Sequence, residues 1–416
     1  MREMKDSGIE WIGKIPKEWG IVKFKYLHNG LNTGEAIDKE YWESDAGLNA
    51  FYTAGLTPIR TGYSNFPTWK ETGENDLLLA RNGTPYVYLP VSKAYYTDHI
   101  IRAAMSSLVN RRFIRYCLQQ SIASIAVDSV SIPTWSATLW NNQILTWPSV
   151  IEQERIAAFL DAECAEIDAV LEKTRASIEE YKKLKQAVIT QAVTKGIRGD
   201  RPMKDSGIEW IGDIPAEWTA SKIKYCTEFA PSCNTSHLSE DSLVTFTPME
   251  CIKNGYFENR EAHFSALSSS YTQYQDGDIV FAKVTPCFEN GNIAIMQGLS
   301  AGVGFGSSEL FVIRPQSINT EFIFYYLQND IFKQYACATM TGTGGLKRVS
   351  PTFVRNYSVF IPCNEEQLEI VRYLNEKCSG IEVLIAKKQQ YLTEIENYKK
   401  SLIYEYVTGK KEVHPL

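Results

Sequence analysis

A sixteen-residue motif occurs twice in this chain, once near the beginning and once near the middle. Residues 4–19 read MKDSGIEWIGKIPKEW and residues 203–218 read MKDSGIEWIGDIPAEW, with fourteen identities in sixteen positions. Later landmarks repeat in the same order, while the offset between the copies grows from 199 to 214 residues. A collinear repeat of this kind predicts one folding unit present in two copies. The growing offset places about fifteen inserted residues in the loops of the second copy.

The body that follows each opening motif is rich in short apolar runs and in turn residues. Asp76–Arg81 of the first copy matches Asp278–Lys283 of the second, and a Thr-Pro pair follows each run. The second body has further apolar runs at 292–296 and 310–313 and a helical pattern at 322–328. These patterns predict an α+β body in which matched strands end at a basic residue.

A long helix is predicted to close each copy. Residues 152–193 contain neither Pro nor Gly, their apolar residues recur about every 3.5 positions, and the pattern returns at an offset of 214. Sustained heptads predict a coiled coil of roughly 60 Å that ends at Gly196 and, in the second copy, at Gly409. The predicted helix-pairing positions are Leu160, Ile167, Leu171 and Ile178 in the first helix and Leu374, Ile381, Ile385 and Leu392 in the second. The heptad pattern also includes Leu184 and Tyr398.

The order of the elements also predicts a symmetry. Because each helix follows its body, an antiparallel pairing of the helices would relate the two copies by a pseudo-twofold axis. Duplex DNA has twofold symmetry of its own and is the partner that such an arrangement suits.

Length and composition favour a multi-domain protein of the cytoplasm. The chain has 416 residues, 44% of them hydrophobic, which is enough to bury more than one core. Its nine cysteines show no CxxC spacing, so we expect reduced thiols. No run approaches the length of a membrane helix, and residues 1–6 lack the apolar core of a signal peptide. We therefore expect neither secretion nor a membrane association.

The motifs of the common catalytic sites are missing from the sequence. Residues 341–348 have the wrong spacing for a P-loop, and no Asn-Pro-Pro-aromatic tetrapeptide of an adenine methyltransferase occurs. Gly302, Gly304 and Gly306 form a GxGxG run, but no helical pattern follows it. The five histidines form no spaced pair suited to a metal ion or a general base. We expect no intrinsic enzyme activity, no cofactor and no metal.

The combined motifs resemble the specificity subunit of Type I restriction-modification systems over nearly the whole chain. The resemblance rests on the IPxEW opening, on the tracts GDIVFAKVTPCFENGNIAI and GFGSSELFVIRP, and on a proline and a Glu-Gln pair before each long helix (Pro148 to Gln153, Pro362 to Gln367). It implies two target-recognition domains, each of which reads half of a split DNA sequence. It also implies paired helices that act as a spacer and as a docking surface for methyltransferase subunits.

That resemblance gives the chain a domain plan and a set of partners. The plan is recognition domain 1 at 1–148, the first helix and linker at 149–198, recognition domain 2 at 199–362 and the second helix at 363–416. Two α/β-type domains are thus joined by two long antiparallel helices. The implied partners are double-stranded DNA and two methyltransferase subunits, with restriction or translocase subunits as further candidates.

Candidate DNA-contacting residues lie where the strands end and in the loops near the long helices. Arg and Lys pair with guanine edges or phosphates, and Asn pairs with adenine, so such residues beside permissive glycines suit a loop that enters a groove. The candidates are Arg81, Asn82, Thr84, Arg111, Arg112, Thr134, Trp135 and Ser136 in the first copy and Lys283, Thr285, Asn290, Asn292, Thr343, Lys347 and Arg348 in the second.

Each group of candidates also has a purely structural interpretation. Lys347 and Arg348 would also suit an ordinary solvated loop, and asparagines in turns mostly cap their own backbone. Arg111 and Arg112 would also suit the start of the short helix that follows them. At an offset of 214, Pro133 and Thr134 take the places of Lys347 and Arg348. If these loops read bases, the two copies therefore read different half-sites.

The net charge argues against a self-sufficient DNA-binding protein. The chain carries a formal charge of −6, whereas most DNA affinity comes from neutralised phosphates. We therefore expect partner subunits to supply part of the positive charge, or basic residues to gather on one face. The competing hypothesis is a coiled-coil scaffold whose duplicated domains bind proteins, and sequence-selective binding of a labelled duplex would separate the two.

Overall fold

A computed structural model describes residues 2–42, 49–53, 55, 57–125, 134–267, 270–343 and 345–413. The chain divides into two compact units. The first unit is Met1–Arg175 together with Gln390–Leu416, and the second unit is Ala176–Gln389. Each of the two long helices begins in one unit and ends in the other.

The first copy of the repeat contains eleven described strands and three α-helices. They are β1 (Met4–Asp6), β2 (Lys14–Pro16), β3 (Gly20–Lys23), β4 (His28–Thr33), β5 (Asn49–Tyr52), β6 (Ile59–Thr61), β7 (Asp76–Ala80), β8 (Val87–Tyr88), β9 (Tyr95–Tyr96), β10 (Ile100–Met105), α1 (Arg111–Ala123), α2 (Ala137–Asn141), β11 (Ile144–Trp147) and α3 (Val150–Lys195).

The second copy contains fourteen described strands and five α-helices. They are β12 (Met203–Asp205), β13 (Asp213–Pro215), β14 (Thr219–Lys222), α4 (Ile223–Cys226), β15 (Thr227–Phe229), β16 (Leu243–Thr247), β17 (Glu261–His263), β18 (Thr272–Gln275), β19 (Ile279–Ala282), β20 (Ile293–Ile295), β21 (Val303–Gly306), β22 (Leu310–Pro315), α5 (Thr320–Gln328), α6 (Asp330–Ala338), β23 (Thr341–Thr343), β24 (Leu346–Arg348), α7 (Pro351–Asn356), β25 (Ser358–Ile361) and α8 (Asn364–Val407).

The sheet topology of the two copies confirms the repeat. Hairpin β1–β2 corresponds to β12–β13, and the pair β3–β11 corresponds to β14–β25. Each unit has an antiparallel four-stranded sheet, in the order β4-β10-β7-β8 and β15-β22-β19-β20. Each also has a mixed sheet with one parallel pair, β6-β5-β9 in the first unit and β17-β16-β21-β18 in the second. The predicted α+β body is therefore observed in both units.

Alternate residues of the central strands pack into different cores. In β7, Leu77 and Leu79 join the cluster that contains α1, whereas Leu78 joins a smaller aromatic cluster with Tyr88. Strand β19 divides its side chains between two clusters in the same way. A strand buried on both faces needs apolar residues at every position, and this explains the unbroken apolar runs in the sequence.

The opening motif is tied to its long helix through a glutamate in the helix's first turn. The indole N–H of Trp19 donates to Glu152 at 2.9 Å, and Arg2 donates to the same carboxylate at 2.5 Å. In the second unit Glu366 accepts from Trp218 at 3.1 Å and from Arg201 at 2.5 Å. The repeated tryptophan is buried in both units, with 1% of its surface exposed.

The glutamine that follows this glutamate fixes the start of the helix to the body. The Gln153 side chain donates to the Pro148 carbonyl at 3.1 Å and accepts from the Asn110 backbone N–H at 3.2 Å. Gln367 makes the same two bonds, to Pro362 at 2.9 Å and from Asn319 at 2.7 Å. Because Asn110 and Asn319 cap α1 and α5, one buried glutamine aligns two helices in each unit.

The long helices lie antiparallel within each unit. In the first unit Asp168 of α3 pairs with Lys399 of α8, and Arg175 pairs with Glu396. In the second unit Lys185 of α3 pairs with Glu382 of α8. From the first of these ion pairs to the second, the residue number rises from 168 to 175 in α3 and falls from 399 to 396 in α8, as an antiparallel pair requires. Helix α3 ends one residue before Gly196 and α8 ends two residues before Gly409, and these glycines have φ angles of +72° and +70°.

Most of the predicted helix-pairing residues are buried. Leu160, Ile167, Leu171, Ile178, Leu374 and Ile381 are buried, and Ile385 and Leu392 are half-buried. Leu184 and Tyr398, two further positions of the heptad pattern, are 49% and 56% exposed. A 3.5-residue repeat drifts from one face of an α-helix of 3.6 residues per turn, so equally spaced positions do not all face the same partner.

The second and third glycines of the GxGxG run, Gly304 and Gly306, lie in strand β21 and serve packing. A Cβ on Gly304 would lie 2.0 Å from the ring of Tyr274, and one on Gly306 would lie 2.7 Å from Leu310. Tyr274 is fully buried and donates to the Phe305 carbonyl at 3.0 Å. The glycines thus leave room for an aromatic ring across the sheet.

Candidate nucleic-acid interface

In the second unit, five polar residues meet where β19 ends. Lys283 follows this strand, and its carbonyl accepts from the Val349 backbone N–H at 2.9 Å. Thr285 donates its backbone N–H to the Lys347 carbonyl at 3.0 Å, and the Lys347 N–H donates to the Thr285 hydroxyl at 3.0 Å. The fold therefore places hairpin β23–β24 beside the strand end. We call Lys283, Thr285, Glu309, Lys347 and Arg348 the second strand-end cluster.

Glu309 holds the Arg348 side chain with two hydrogen bonds. The Arg348 Nε and Nη2 atoms lie 2.9 and 2.7 Å from the two carboxylate oxygens of Glu309. Hydrogen bonding from Arg348 lowers the pKa of Glu309; desolvation opposes this shift, and the charge of Lys283 adds to it. The Arg348 side chain stays 46% exposed, whereas that of Glu309 is 27% exposed. The cluster thus presents cations outward and keeps its carboxylate partly covered.

The first unit builds the same backbone arrangement from different side chains. The Arg81 carbonyl accepts from the Trp135 N–H at 2.6 Å, as that of Lys283 accepts from Val349. Asn82 and Thr134 form an isolated antiparallel bridge, and Val284 and Arg348 form the matching bridge. We call Arg81, Asn82, His99, Thr134 and Trp135 the first strand-end cluster.

The two clusters carry different side chains at equivalent backbone positions. The Arg81 N–H donates to the His99 carbonyl at 2.9 Å, and the Lys283 N–H donates to the Glu309 carbonyl at 3.1 Å. His99 is thus the counterpart of Glu309, while Thr134 is the counterpart of Arg348. Trp135 is buried and donates its indole N–H to the Gly83 carbonyl at 2.6 Å, so it supports the strand end.

Several other candidates lie in turns or caps near these clusters. Thr84 is exposed in the turn after β7, and Ser136 caps α2 by accepting from the Leu139 N–H at 3.1 Å. Asn290 is exposed and Asn292 half-buried in the turn between β19 and β20. Pro133 lies outside the described residues, as does the side chain of Thr343.

Arg111 and Arg112 make contacts inside the first unit. Arg111 donates to the Asp76 carbonyl at 3.1 Å, and Arg112 donates to Asp161 of α3 at 3.0 Å. Asn110 caps the helix that they begin. The structure therefore does not bring these two arginines into the strand-end cluster.

Sequence reasoning missed the role of Glu309. Glu309 lies in the tract GFGSSELFVIRP, at the start of a strand. A single acidic residue at such a position does not predict that its partner is Arg348, which lies 39 positions away. A carboxylate held by a basic residue is visible only when both strands are in place. No group of three or more metal-ligating side chains that could hold an ion occurs in the described part of the chain.

Comparison with known proteins finds similarity to one class of protein. Residues 232–394 match the family model of the Type I restriction modification DNA specificity domain. The EcoEI specificity subunit of Escherichia coli is 32% identical over 189 residues, which are 44% of this chain and 32% of that protein. With the similar EcoAI subunit, the match again spans about a third of the relative's length.

Longer but more distant similarities cover nearly the whole chain. The MjaVIII specificity subunit of Methanocaldococcus jannaschii is 23% identical over 428 residues, covering 97% of this chain and 95% of that protein. A solved chain from work on complex assembly and conformational transition of the type I R-M system has a TM-score of 0.65 at 13% identity. It covers 95% of this chain and 99% of that chain, and shows the shared fold.

Together these findings relate the chain, which has a duplicated mixed α/β fold, to the DNA-specificity proteins. The resemblance drawn from the sequence, to the specificity subunits of Type I restriction-modification systems, is confirmed by the family model over residues 232–394 and by these relatives. Among the described residues, no helix has the length and apolar character needed to cross a bilayer.

Proposed function

We propose that this chain selects a bipartite DNA target, with each strand-end cluster reading one half. The observation that carries the proposal is the difference between two clusters with the same backbone hydrogen bonds. Arg81 and Lys283 occupy equivalent positions, but Thr134 and His99 replace Arg348 and Glu309. Side chains on a fixed backbone are the part of a protein that distinguishes base edges. The two clusters would therefore read different sequences.

The proposed recognition domains are residues 1–148 and 199–362, with 149–198 and 363–416 forming the long helices and linker. Helices of 46 and 44 residues are about 65 to 70 Å long at 1.5 Å per residue. We propose that they set the number of base pairs between the half-sites.

We further propose that the helices dock two methyltransferase subunits. Exposed apolar side chains recur on both helices at the repeat offset of 214 residues. Val170 is 40% and Leu384 is 42% exposed, and Leu184 and Tyr398 are the second matched pair. Exposed apolar groups at equivalent positions suit two copies of one partner. Restriction or translocase subunits would join the same complex.

We propose that the chain itself is not catalytic. Its sequence carries none of the nucleotide-binding or methyltransferase motifs, and its net charge of −6 is unfavourable for binding DNA alone. The partner subunits would supply both the chemistry and part of the positive charge.

Methylation-site sequencing tests the proposal. Cells that carry this chain with its methyltransferase partner are compared with cells that carry the partner alone. We expect methylation at one interrupted, asymmetric sequence that depends on this chain. A methylation pattern that is the same with and without the chain would contradict the proposed function.

A further inference from the structure

Glu309 and Arg348 form the charged pair of the second strand-end cluster. We infer that Glu309 is a positioning residue that orients Arg348 to read a guanine in the half-site of the second unit. This inference rests on the proposed function, because it assumes that the cluster faces DNA.

The two hydrogen bonds from Arg348 to Glu309 leave one edge of the guanidinium available. A guanidinium has five N–H donors, and the Nε and Nη2 atoms each direct one of them to the carboxylate. The Nη1 donors and the second Nη2 donor point away from Glu309. A planar pair of donors of this kind matches the O6 and N7 acceptors of guanine in the major groove.

The backbone beneath the pair is fixed as well. Hairpin β23–β24 is held to the end of β19 by the hydrogen bonds of Thr285 and by the Val284–Arg348 bridge. The Glu309 carbonyl accepts from the Lys283 N–H at 3.1 Å. Both partners of the pair are therefore anchored to one strand end. Arg348 loses less conformational freedom on binding when it is held in advance.

The first unit provides an internal comparison. There His99 and Thr134 occupy the positions of Glu309 and Arg348, so a charged pair cannot form at these positions. Changes to Glu309 should consequently alter the base preference of one half-site and leave the other half-site unchanged.

The test uses the full chain in complex with its methyltransferase subunits. The variants are Glu309→Gln, Arg348→Ala, Arg348→Lys and the double variant Glu309→Gln/Arg348→Ala. Glu240→Gln, at an exposed glutamate of the same unit, is the matched control. Methylation-site sequencing gives the preference at every target position. Binding of target and unrelated duplexes at several salt concentrations separates base contacts from phosphate contacts.

We expect Arg348→Ala and Arg348→Lys to reduce the preference for guanine at one position by about ten- to a hundredfold. Arg348→Lys should leave the salt dependence of DNA binding unchanged, since lysine keeps the positive charge but lacks the planar pair of guanidinium N–H donors. Glu309→Gln should weaken the same preference while raising affinity for unrelated DNA, because a negative charge near phosphates is removed. In the Arg348→Ala background, Glu309→Gln should cause no further loss of preference.

Two results would overturn the inference. One is a Glu309→Gln complex that binds all sequences more tightly and keeps the full guanine preference, since Glu309 would then act only through its charge. The other is an Arg348→Ala complex with unaltered base preference. Each of these two results counts only if the wild-type complex methylates a specific sequence. A wild-type complex without sequence selectivity would instead contradict the proposed function.

Discussion

Trp218 donates its indole N–H to the Glu366 carboxylate at 3.1 Å, and both residues are buried with 1% of their surface exposed. The Arg201 guanidinium, 10% exposed at its side chain, bonds the other oxygen of the same carboxylate at 2.5 Å. Trp19, Glu152 and Arg2 repeat this arrangement in the first unit. In each copy the opening motif and the Glu-Gln pair are more than 130 residues apart in the chain, but their side chains bond to each other. We call this hydrogen-bonded contact the joint.

The first prediction concerns this joint. Glu366→Ala should lower the free energy of unfolding by about 3 to 5 kcal/mol, because it removes the buried carboxylate that bonds Arg201 and Trp218 and leaves the Arg201 charge paired only with the exposed Glu217. Glu369→Ala removes an exposed carboxylate that pairs with Arg198 and should have little effect. Chemical denaturation followed by tryptophan fluorescence measures both. Equal losses in the two variants would show that Glu366 has no special role.

The second prediction concerns the paired helices. Ile167→Asp and Ile381→Asp should each destabilise the chain by about 2 kcal/mol for lost apolar burial, and the buried carboxylate should add to this cost. Both isoleucines are less than a tenth exposed, whereas Val383 in α8 is 50% exposed. Val383→Asp therefore serves as the matched control in thermal and chemical unfolding. An Ile167→Asp/Ile381→Asp variant as stable as this control would contradict the helix pairing.

The third prediction concerns the proposed docking of two methyltransferase subunits. Val170→Asp should abolish the binding of one subunit and Leu384→Asp that of the other, because the two positions are equivalent in the repeat. Native mass spectrometry of the complex would count the bound subunits. The control is Val91→Asp, which changes a residue 54% exposed on the body of the first unit. Two bound subunits in the double variant would place the docking surface elsewhere.

The fourth prediction concerns stability at alkaline pH. Burial raises the pKa of the Cys117 thiol from 9.0 to about 12. Both folded and unfolded states are protonated below pH 9, but between pH 9 and 12 only the unfolded state loses this proton. The contribution of the Cys117 thiol to the free energy of unfolding is thus fully present below pH 9. Above pH 9 the free energy of unfolding falls by about 1.4 kcal/mol per pH unit.

Removing the thiol should therefore flatten this part of the pH profile. The free energy of unfolding of Cys117→Ala should fall less steeply between pH 9 and 11 than that of the wild type. Cys363→Ala, which removes an exposed thiol, controls for the loss of a cysteine as such. Parallel profiles for wild type and Cys117→Ala would argue against the raised pKa.

The fifth prediction concerns the assignment of half-sites. Arg81→Ala should weaken recognition of one half-site and Lys347→Ala that of the other, by about 1 to 3 kcal/mol for a lost base contact. Methylation-site sequencing of the two variant complexes shows which half changes. Uniform weakening across all sequences would instead identify these residues as phosphate contacts.

Much of the fold could be predicted from local patterns. The repeat, the strands before Arg81 and Lys283, and the glycine-terminated helices follow from periodicity and from turn residues that act within a few positions. The exposure of Leu184 and Tyr398 could not be predicted from local patterns. Heptad spacing does not reveal which part of a long helix faces its partner and which part faces solvent.

The sequence by itself determined the duplication, the two unequal bodies, the two long helices and the resemblance to Type I specificity subunits. Repeats, breakers and apolar periods are properties of neighbouring residues and can be read without coordinates. Only the tertiary structure decided that Glu309 holds Arg348, that Glu366 joins Trp218 to Arg201, and that Arg111 and Arg112 bond inward. The physical reason is that each of these contacts joins side chains that are distant in the chain. Strand pairing and helix packing bring such side chains within hydrogen-bonding distance, and no local pattern specifies their partners.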